Sequence, residues 1–136
     1  MMLAPDATAC AQRDSILTTS VTAGWENPED EDITLAWVRR FYRDLFAASG
    51  GVPVPAEVSS GASINHPDID LADPEWNASG VPWHTMYYRD NYPRLQQVKA
   101  RWDPLNIFHH ALSVRPASTA TLTAKRGHGE RLDPRG

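Results

Sequence analysis

Two short motifs of this 136-residue sequence combine polar and titratable side chains next to turn-forming residues. The first is Ser63-Ile64-Asn65-His66, which ends a predicted strand immediately before Pro67. An amide and an imidazole at the edge of a loop can both be aimed at a ligand, and imidazole gains or loses a proton near neutral pH. A histidine in such a position can serve as a general base or remain an ordinary surface residue, and both interpretations stay open at this point.

The second motif is Tyr87-Tyr88 followed by Asn91, just ahead of a predicted helix. The tyrosine rings can pack in a core while Asn91 caps the helix, because an asparagine side chain accepts hydrogen bonds from the free N–H groups of a first turn. The same residues can equally contact a ligand.

Three other chemistries lack the residues they need. Cys10 is the only cysteine, and the adjacent pair His109–His110 points in two directions on any regular element, so the spacing of a zinc site is missing. Residues 61–63 (Gly-Ala-Ser) lack the second glycine of a hydrolase nucleophile elbow. Residues 77–79 (Asn-Ala-Ser) match a glycosylation acceptor, but no secretory signal supports that use.

Composition and charge exclude some classes of partner. The chain carries 13 Lys and Arg against 17 Asp and Glu, a net charge of −4, with the 41% hydrophobic content of an ordinary globular protein. No broad basic surface is available to neutralise phosphates, so nucleic acid is not an expected partner. No apolar run approaches the roughly 18 residues that span a bilayer, and no signal peptide is visible, so we expect a cytoplasmic protein without membrane contact.

The sequence pattern predicts an α+β fold in which a fragment of an antiparallel sheet carries two main helices. β-branched side chains predict one strand over 15–23 and another over 57–64, the second interrupted by Gly61. Segment 65–82 is rich in Pro, Asp, Asn and Gly and has no periodic pattern, which indicates a long surface loop.

The first helix is predicted over 28–48, because Asn27 and Pro28 suit its start and Gly50 its end. Large apolar side chains recur within it at every fourth position, as Ile33, Trp37, Phe41 and Leu45. This spacing places them along one side of the helix, which we expect to be buried against a sheet.

The second helix is predicted over 92–102, with Pro93 in its first turn and Asp103-Pro104 at its end, because the residue before a proline avoids the helical conformation. From Ala117 onward the apolar content is too low to offset the entropy of ordering, so a disordered tail is predicted over 117–136. A poorly ordered N-terminus over 1–13 and a single domain over 14–116 complete the predicted organisation.

Three motifs, taken in order, resemble one known family. They are Ser63-Ile64-Asn65-His66-Pro67-Asp68, then Tyr87-Tyr88-x-x-Asn91-Tyr92, then Val98-Lys99-Ala100-Arg101-Trp102-Asp103-Pro104-x-Asn106-Ile107-Phe108. In this order they resemble the C-terminal region of the berberine bridge enzyme-like family of FAD-linked oxidoreductases. The resemblance extends from about Ser15 to Arg115, which is most of the chain.

The resemblance implies flavin chemistry that needs a second part. In the family, an N-terminal FAD-binding domain holds the cofactor, and an α+β substrate domain covers the flavin ring. This chain resembles the end of the substrate domain. FAD is therefore expected to bind only together with an FAD-binding domain or subunit supplied elsewhere, and a small-molecule substrate is implied.

The resemblance also assigns roles by position in the family's motifs. Asn65 takes the place of a flavin neighbour, and His66 the place of the active-site base. Ser63 lies where the family usually has an aromatic residue beside the flavin ring. Ser20 takes a substrate-side position that some members fill with a carboxylate or an amide.

A further pair of cofactor contacts is implied at Tyr88 and Asn91. The family motif there is Tyr-Tyr/Phe-Gly-x-Asn, and Arg89 stands in place of the glycine, so a tight turn at that point either needs an unusual backbone conformation or is lost. Hydride transfer to flavin from a carbon that bears O–H or N–H is eased when a base removes that proton, which is the work implied for His66.

Two functions remain open on the sequence. One is the C-terminal portion of an FAD-dependent oxidoreductase that oxidises an alcohol or amine carbon and is inactive alone. The other is a non-catalytic remnant or protein-interaction module that retains the fold. A complex with an FAD-binding domain would be yellow in the first case and colourless in the second.

Overall fold

The computed structural model describes residues 4–117, so the predicted tail lies outside the described residues from residue 118 onward. Within residues 4–117 the chain forms three α-helices: α1 (Glu31–Leu45), α2 (Trp83–Tyr88) and α3 (Tyr92–Trp102). The chain divides into two compact units, a first unit that ends at Asn91 and a second unit that begins at Tyr92.

The predicted antiparallel sheet is wrong, since residues 4–117 contain helices and turns but no strand. Residues 15–23 lie exposed, with Ile16 and Leu17 presented to solvent, and no other segment among the described residues pairs with their backbone. An isolated β-branched segment has no ladder to join, because a strand is stable only when a neighbour satisfies its N–H and C=O groups.

The second predicted strand, 57–64, is also wrong. The Ala56 N–H donates to the Ser59 carbonyl at 2.7 Å, which closes a turn, and the Ala62 N–H donates to the Met86 carbonyl at 2.9 Å at the end of α2. Gly61 between them has φ 97°, a left-handed conformation that does not belong to a regular strand. The segment is therefore a loop held by a helix end.

The first predicted helix is present but shorter than 28–48. A 3₁₀ turn over Pro28–Asp30 leads into α1, and a second 3₁₀ turn over Ala47–Ser49 follows it. Gly50 then ends the helical stretch in the left-handed conformation at φ 80°. A side chain at Gly50 would meet the backbone of Ser79, 2.5 Å from its nitrogen, so this glycine also allows segment 65–82 to pass closely.

Segment 65–82, predicted as a surface loop, contributes to the core of the first unit. Leu71 is buried at its centre, and the side-chain amide of Asn77 donates to the carbonyls of Leu71 and Val81 at 2.9 and 3.0 Å. The segment is fastened to α1 by Asp70, which forms an ion pair with Arg39 at 2.8 Å. The buried apolar side chains of the first unit are Ala11, Val52, Leu71, Met86, Tyr87 and Tyr88.

The second unit is built on α3, whose bounds are those predicted. The Asp103 carboxylate accepts the Ile107 and Phe108 N–H groups at 2.7 and 3.0 Å and pairs with Lys99, four residues earlier on the helix. These bonds hold the turn that follows the helix. The Tyr92 hydroxyl then accepts the Arg115 N–H at 3.3 Å, which brings Arg115 back to the start of α3.

Candidate functional site

The Ser63–His66 motif forms an exposed turn. The His66 N–H donates to the Ser63 carbonyl at 3.0 Å, and the side chains of Ser63, Asn65 and His66 are all exposed. The structure thus brings three of the predicted site residues together on one four-residue turn, with their polar groups directed away from the core.

Two contacts hold the turn, one on each side. Before it, the Ala62 N–H donates to the Met86 carbonyl. After it, the Asp68 N–H donates to the Tyr87 hydroxyl at 2.9 Å, and Tyr87 is buried. Because both flanks are tied to neighbouring residues of α2, the imidazole of His66 is carried on a fixed backbone rather than a free loop.

Gln12 provides a third support, and no motif around it in the sequence predicts that role. Its side-chain amide donates to the carbonyls of Ala62 and Tyr87 at 3.1 Å each and to that of Met86 at 3.4 Å. One carboxamide therefore binds the loop before the turn and the end of α2 at once. Residues 50 to 75 positions apart in sequence meet here, and no local pattern encodes such a contact.

Burial changes the acid–base properties beside the turn. Desolvation raises the pKa of Tyr87 to about 12; the hydrogen bond from the Asp68 N–H acts in the opposite direction, while the charge of the Asp68 carboxylate acts in the same direction as burial. Desolvation likewise raises the pKa of the Asp68 carboxyl, although its hydrogen bond from the Asp70 N–H acts in the opposite direction. Tyr42 of α1 has a raised pKa for the same main reason, burial. These three groups form a cluster in which the neutral forms are favoured.

Tyr88 and Asn91 are buried at the end of α2 and in the 3₁₀ turn that follows it, Arg89–Asn91. The Asn91 amide donates to the carbonyls of Pro5 and Thr8 at 2.9 and 3.1 Å, so both of its N–H bonds hold the N-terminal segment. In this conformation Asn91 organises the protein around the turn, and a ligand cannot use the same donors.

Arg89 keeps the turn that the family motif forms with glycine. Its backbone has φ 48° and ψ −130°, a conformation that favours glycine. Its guanidinium donates to the Ser60 carbonyl at 3.0 Å and lies 3.6 Å from the Asp14 carboxylate. The unusual backbone conformation is thus retained, and the side chain adds a support to the loop before Ser63.

Ser20 lies apart from this arrangement. It is exposed in the segment without regular structure, and among residues 4–117 no hydrogen bond joins it to the Ser63–His66 turn. An open groove of about 350 Å³ lies along α1 beside Arg39, Arg43 and Trp76. None of the predicted site residues, all within the described part of the chain, lines that groove. The described residues also contain no group of three or more His, Cys, Asp or Glu side chains placed to hold a metal ion.

Among residues 4–117, no helix combines the length and the apolar composition that crossing a bilayer requires.

Known proteins share both the sequence and the conformation of this region. Residues 62–115 match the family described as berberine and berberine-like. The aclacinomycin-N/aclacinomycin-A oxidase of Streptomyces galilaeus is 60% identical over 110 residues, which cover 81% of this chain and 20% of that protein. The region from residue 62 to residue 115 is thus a berberine-like domain.

Two solved structures agree with that assignment. CrmK, a flavoenzyme involved in caerulomycin biosynthesis, is 63% identical with a TM-score of 0.66, over 68% of this chain and 19% of its own. A glycopeptide hexose oxidase complexed with teicoplanin is 57% identical with a TM-score of 0.77, over 84% of this chain and 23% of its own. Residues 62–115 are thus the part of this chain that belongs to the berberine and berberine-like family, and the chain spans about one fifth of the length of the relatives it matches.

Proposed function

We propose that this chain is the C-terminal, substrate-domain portion of an FAD-dependent oxidoreductase that oxidises an alcohol or amine carbon of a small molecule in the cytoplasm. The observation that carries the proposal is the 60% identity over 110 residues with an oxidase, together with the match to a flavoenzyme structure. Because the match covers one fifth of the oxidase, FAD binding in this proposal needs an FAD-binding domain or subunit beyond these 136 residues.

The Ser63–His66 turn fits one side of a flavin site. Ser63, Asn65 and His66 are exposed on a turn whose two flanks are fixed. Their side chains can therefore contact a planar ring while the hydrogen bonds on both flanks stay intact. FAD supplies the hydride acceptor when it is bound. His66 then takes the proton from the substrate O–H or N–H, and Asn65 supplies an amide beside the ring.

Tyr88 and Asn91 have a supporting role in this proposal. Both are buried, and the Asn91 amide is occupied by the Pro5 and Thr8 carbonyls. In this proposal Tyr88 and Asn91 stabilise the protein around the turn and do not contact the cofactor. Ser20 is exposed and available on the substrate side of a complete enzyme, where its hydroxyl is too weak a base to replace His66.

The test is co-expression of the full chain with the part of the aclacinomycin oxidase that the match leaves out, about four fifths of that protein. We expect a yellow complex whose flavin is reduced by aclacinomycin N. His66→Ala should slow flavin reduction by roughly 10²–10⁴-fold, the usual value of a positioned base, while FAD content stays unchanged.

His109→Ala is the matched control, because His109 is exposed in the second unit, outside the turn. Its reduction rate should equal that of the wild type. A colourless complex would favour the non-catalytic interaction module, and an unaltered reduction rate for His66→Ala would remove the base role.

A further inference from the structure

A groove open to solvent runs along α1, and the turn that carries Trp76 forms its second wall. Its volume of about 350 Å³ is within the range of small-molecule sites. The residues of the Ser63–His66 turn do not line it. We call it the arginine groove, and it is lined by Leu35, Ala36, Arg39, Arg40, Arg43 and Trp76, with Asp32 at its far end.

The Trp76 wall is held in place by the protein itself. The Trp76 N–H donates to the Asp73 carbonyl at 3.1 Å, which closes a turn. The Ala78 N–H then donates to the Gly50 carbonyl at 2.9 Å, which ties this turn to the end of the first helical stretch. A Cβ at Gly51 would lie 2.9 Å from the Trp76 carbonyl oxygen, so the two backbones approach closely. A ligand therefore meets an indole that is already ordered, which lowers the cost of binding.

Two of the three arginines in the groove keep a charge that no carboxylate balances. Arg39 is neutralised by Asp70, which it contacts through Nε at 2.8 Å and through a terminal nitrogen at 3.1 Å. Among residues 4–117, no carboxylate forms an ion pair with Arg40 or Arg43. The Arg43 guanidinium lies 5.4 Å from the centre of the Trp76 ring, a contact that leaves its N–H donors available to an anion.

The groove also has an apolar middle that separates these cations from its acidic end. Leu35 and Ala36 lie between Asp32 and the arginines along the helix. Asp32 and Arg40 are about 12 Å apart along the helix axis. A ligand whose anionic group lies at the arginine end is thus clear of the Asp32 carboxylate.

We propose that the arginine groove binds a small aromatic carboxylate. The carboxylate pairs with Arg40 and Arg43, which are neighbours on the helix surface and whose planar guanidinium groups match its geometry. The aromatic ring lies against the apolar middle and the Trp76 indole. An inorganic anion would use the arginines alone and leave the apolar middle in water, so the groove favours an acid that carries a ring. This site is separate from the proposed flavin site and does not depend on it.

The test titrates β-naphthoate into the full chain and follows the indole N–H resonances of its five tryptophans by NMR. We expect a dissociation constant of roughly 1 mM, the value for a ligand of this size in an open groove, and a shift of the resonance that is missing in Trp76→Phe. Trp37 is 56% exposed outside the groove and reports binding to other apolar surface. A shift confined to Trp37 would overturn the proposal, as would β-naphthamide binding as tightly as β-naphthoate.

Single substitutions test the arginines. Arg43→Gln should weaken β-naphthoate binding roughly tenfold, because it removes a charged hydrogen-bond donor. Arg101→Gln is the matched control and should bind like the wild type, since the Arg101 guanidinium lies 5.3 Å from the centre of the Trp102 ring in the second unit, outside the groove.

Arg40→Gln is a second variant that guards against a fold defect in Arg43→Gln. Arg40 is exposed, so its substitution should leave the circular dichroism unchanged while binding weakens by a similar factor. Wild-type affinity in Arg40→Gln and in folded Arg43→Gln would contradict the site. Inorganic phosphate that binds as tightly as β-naphthoate would contradict the aromatic class of ligand.

Discussion

Arg89 occupies a backbone conformation that side chains rarely adopt, at a position where the family motif has glycine. A left-handed conformation costs a residue with a Cβ about 1–2 kcal/mol relative to glycine. The guanidinium contacts with Ser60 and Asp14 oppose that cost. The residue therefore combines an unfavourable backbone with a favourable side chain, and substitution can separate the two.

We expect Arg89→Gly to be more stable than Arg89→Ala by about 1 kcal/mol. Both variants lose the bond to the Ser60 carbonyl, but only glycine relaxes the backbone. Chemical denaturation of the two purified variants measures the difference. Equal stabilities would show that the backbone at this position is not strained.

Asp68 couples stability to pH. Because burial raises its pKa in the folded protein, the neutral carboxyl is favoured by folding. Its stabilising contribution is complete below the ordinary value of 3.8 and is lost as the pH rises through the folded value. Above the folded value, the folded protein thus holds an ionised carboxylate at a partly buried position.

Asp68→Asn should accordingly raise the thermal midpoint at pH 7, and the gain should vanish as the pH is lowered towards 3. The asparagine oxygen still accepts the Asp70 N–H, so the local turn is preserved. Asp73→Asn is the control for the loss of one negative charge, because Asp73 accepts the Glu75 N–H in a similar turn. A gain of the same size in Asp73→Asn would assign the effect to net charge.

At the scale of elements, Gly61 sets the distance between the loop and α2. A Cβ at this position would lie 2.1 Å from the Met86 carbonyl oxygen, and the backbone has φ 97°. The clash is with main chain, which cannot move aside like a flexible side chain. The Ala62 N–H donates to the same Met86 carbonyl. The absence of a side chain at Gly61 therefore allows one flank of the Ser63–His66 turn to approach α2.

Gly61→Ala should lower the free energy of unfolding by about 2–4 kcal/mol, because it combines backbone strain with a steric overlap. Gly80→Ala is the matched control. It has a similar positive φ of 73°, yet nothing lies within 4 Å of the added carbon. Urea denaturation of both variants separates the overlap from the strain, and an equal loss in the two would contradict a close approach at Gly61.

Two of the three α-helices among residues 4–117 could be located from the sequence because their signals are local, whereas α2 was not predicted. Pro93 and Asp103-Pro104 mark the two ends of α3, and the helix has the predicted bounds. The two strands predicted from the sequence, 15–23 and 57–64, are absent from the structure of residues 4–117. The β-branched run over 15–23 records a preference for an extended backbone, but a sheet needs a neighbour that residues 4–117 do not provide.

The supports of the site were the least predictable part. Residues 63–66 stand out in the sequence as polar side chains at the end of a predicted strand, whereas the structure places them in a turn. The contacts that hold it, from Gln12 and Tyr87, join residues far apart in sequence. Segment 65–82 was interpreted as surface because it lacks a period, yet Asn77 and the buried Leu71 give it a packed interior. Within that segment, hydrogen bonds from the Asn77 side-chain amide hold the backbone together.

At the scale of the whole molecule, the described residues present only one side of the proposed cofactor site. Ser63, Asn65 and His66 lie exposed on a single turn, and the groove along α1 is lined by other residues. Affinity for a cofactor requires enough contacts to offset the loss of translational and rotational freedom, which costs several kcal/mol. One exposed turn does not provide them.

The purified chain alone should therefore remain colourless after incubation with FAD and gel filtration, as read from visible absorbance. The co-expressed complex should retain flavin through the same procedure, because its partner supplies the contacts that the turn lacks. Tight FAD binding by the isolated chain would show that these residues form a complete site without a partner.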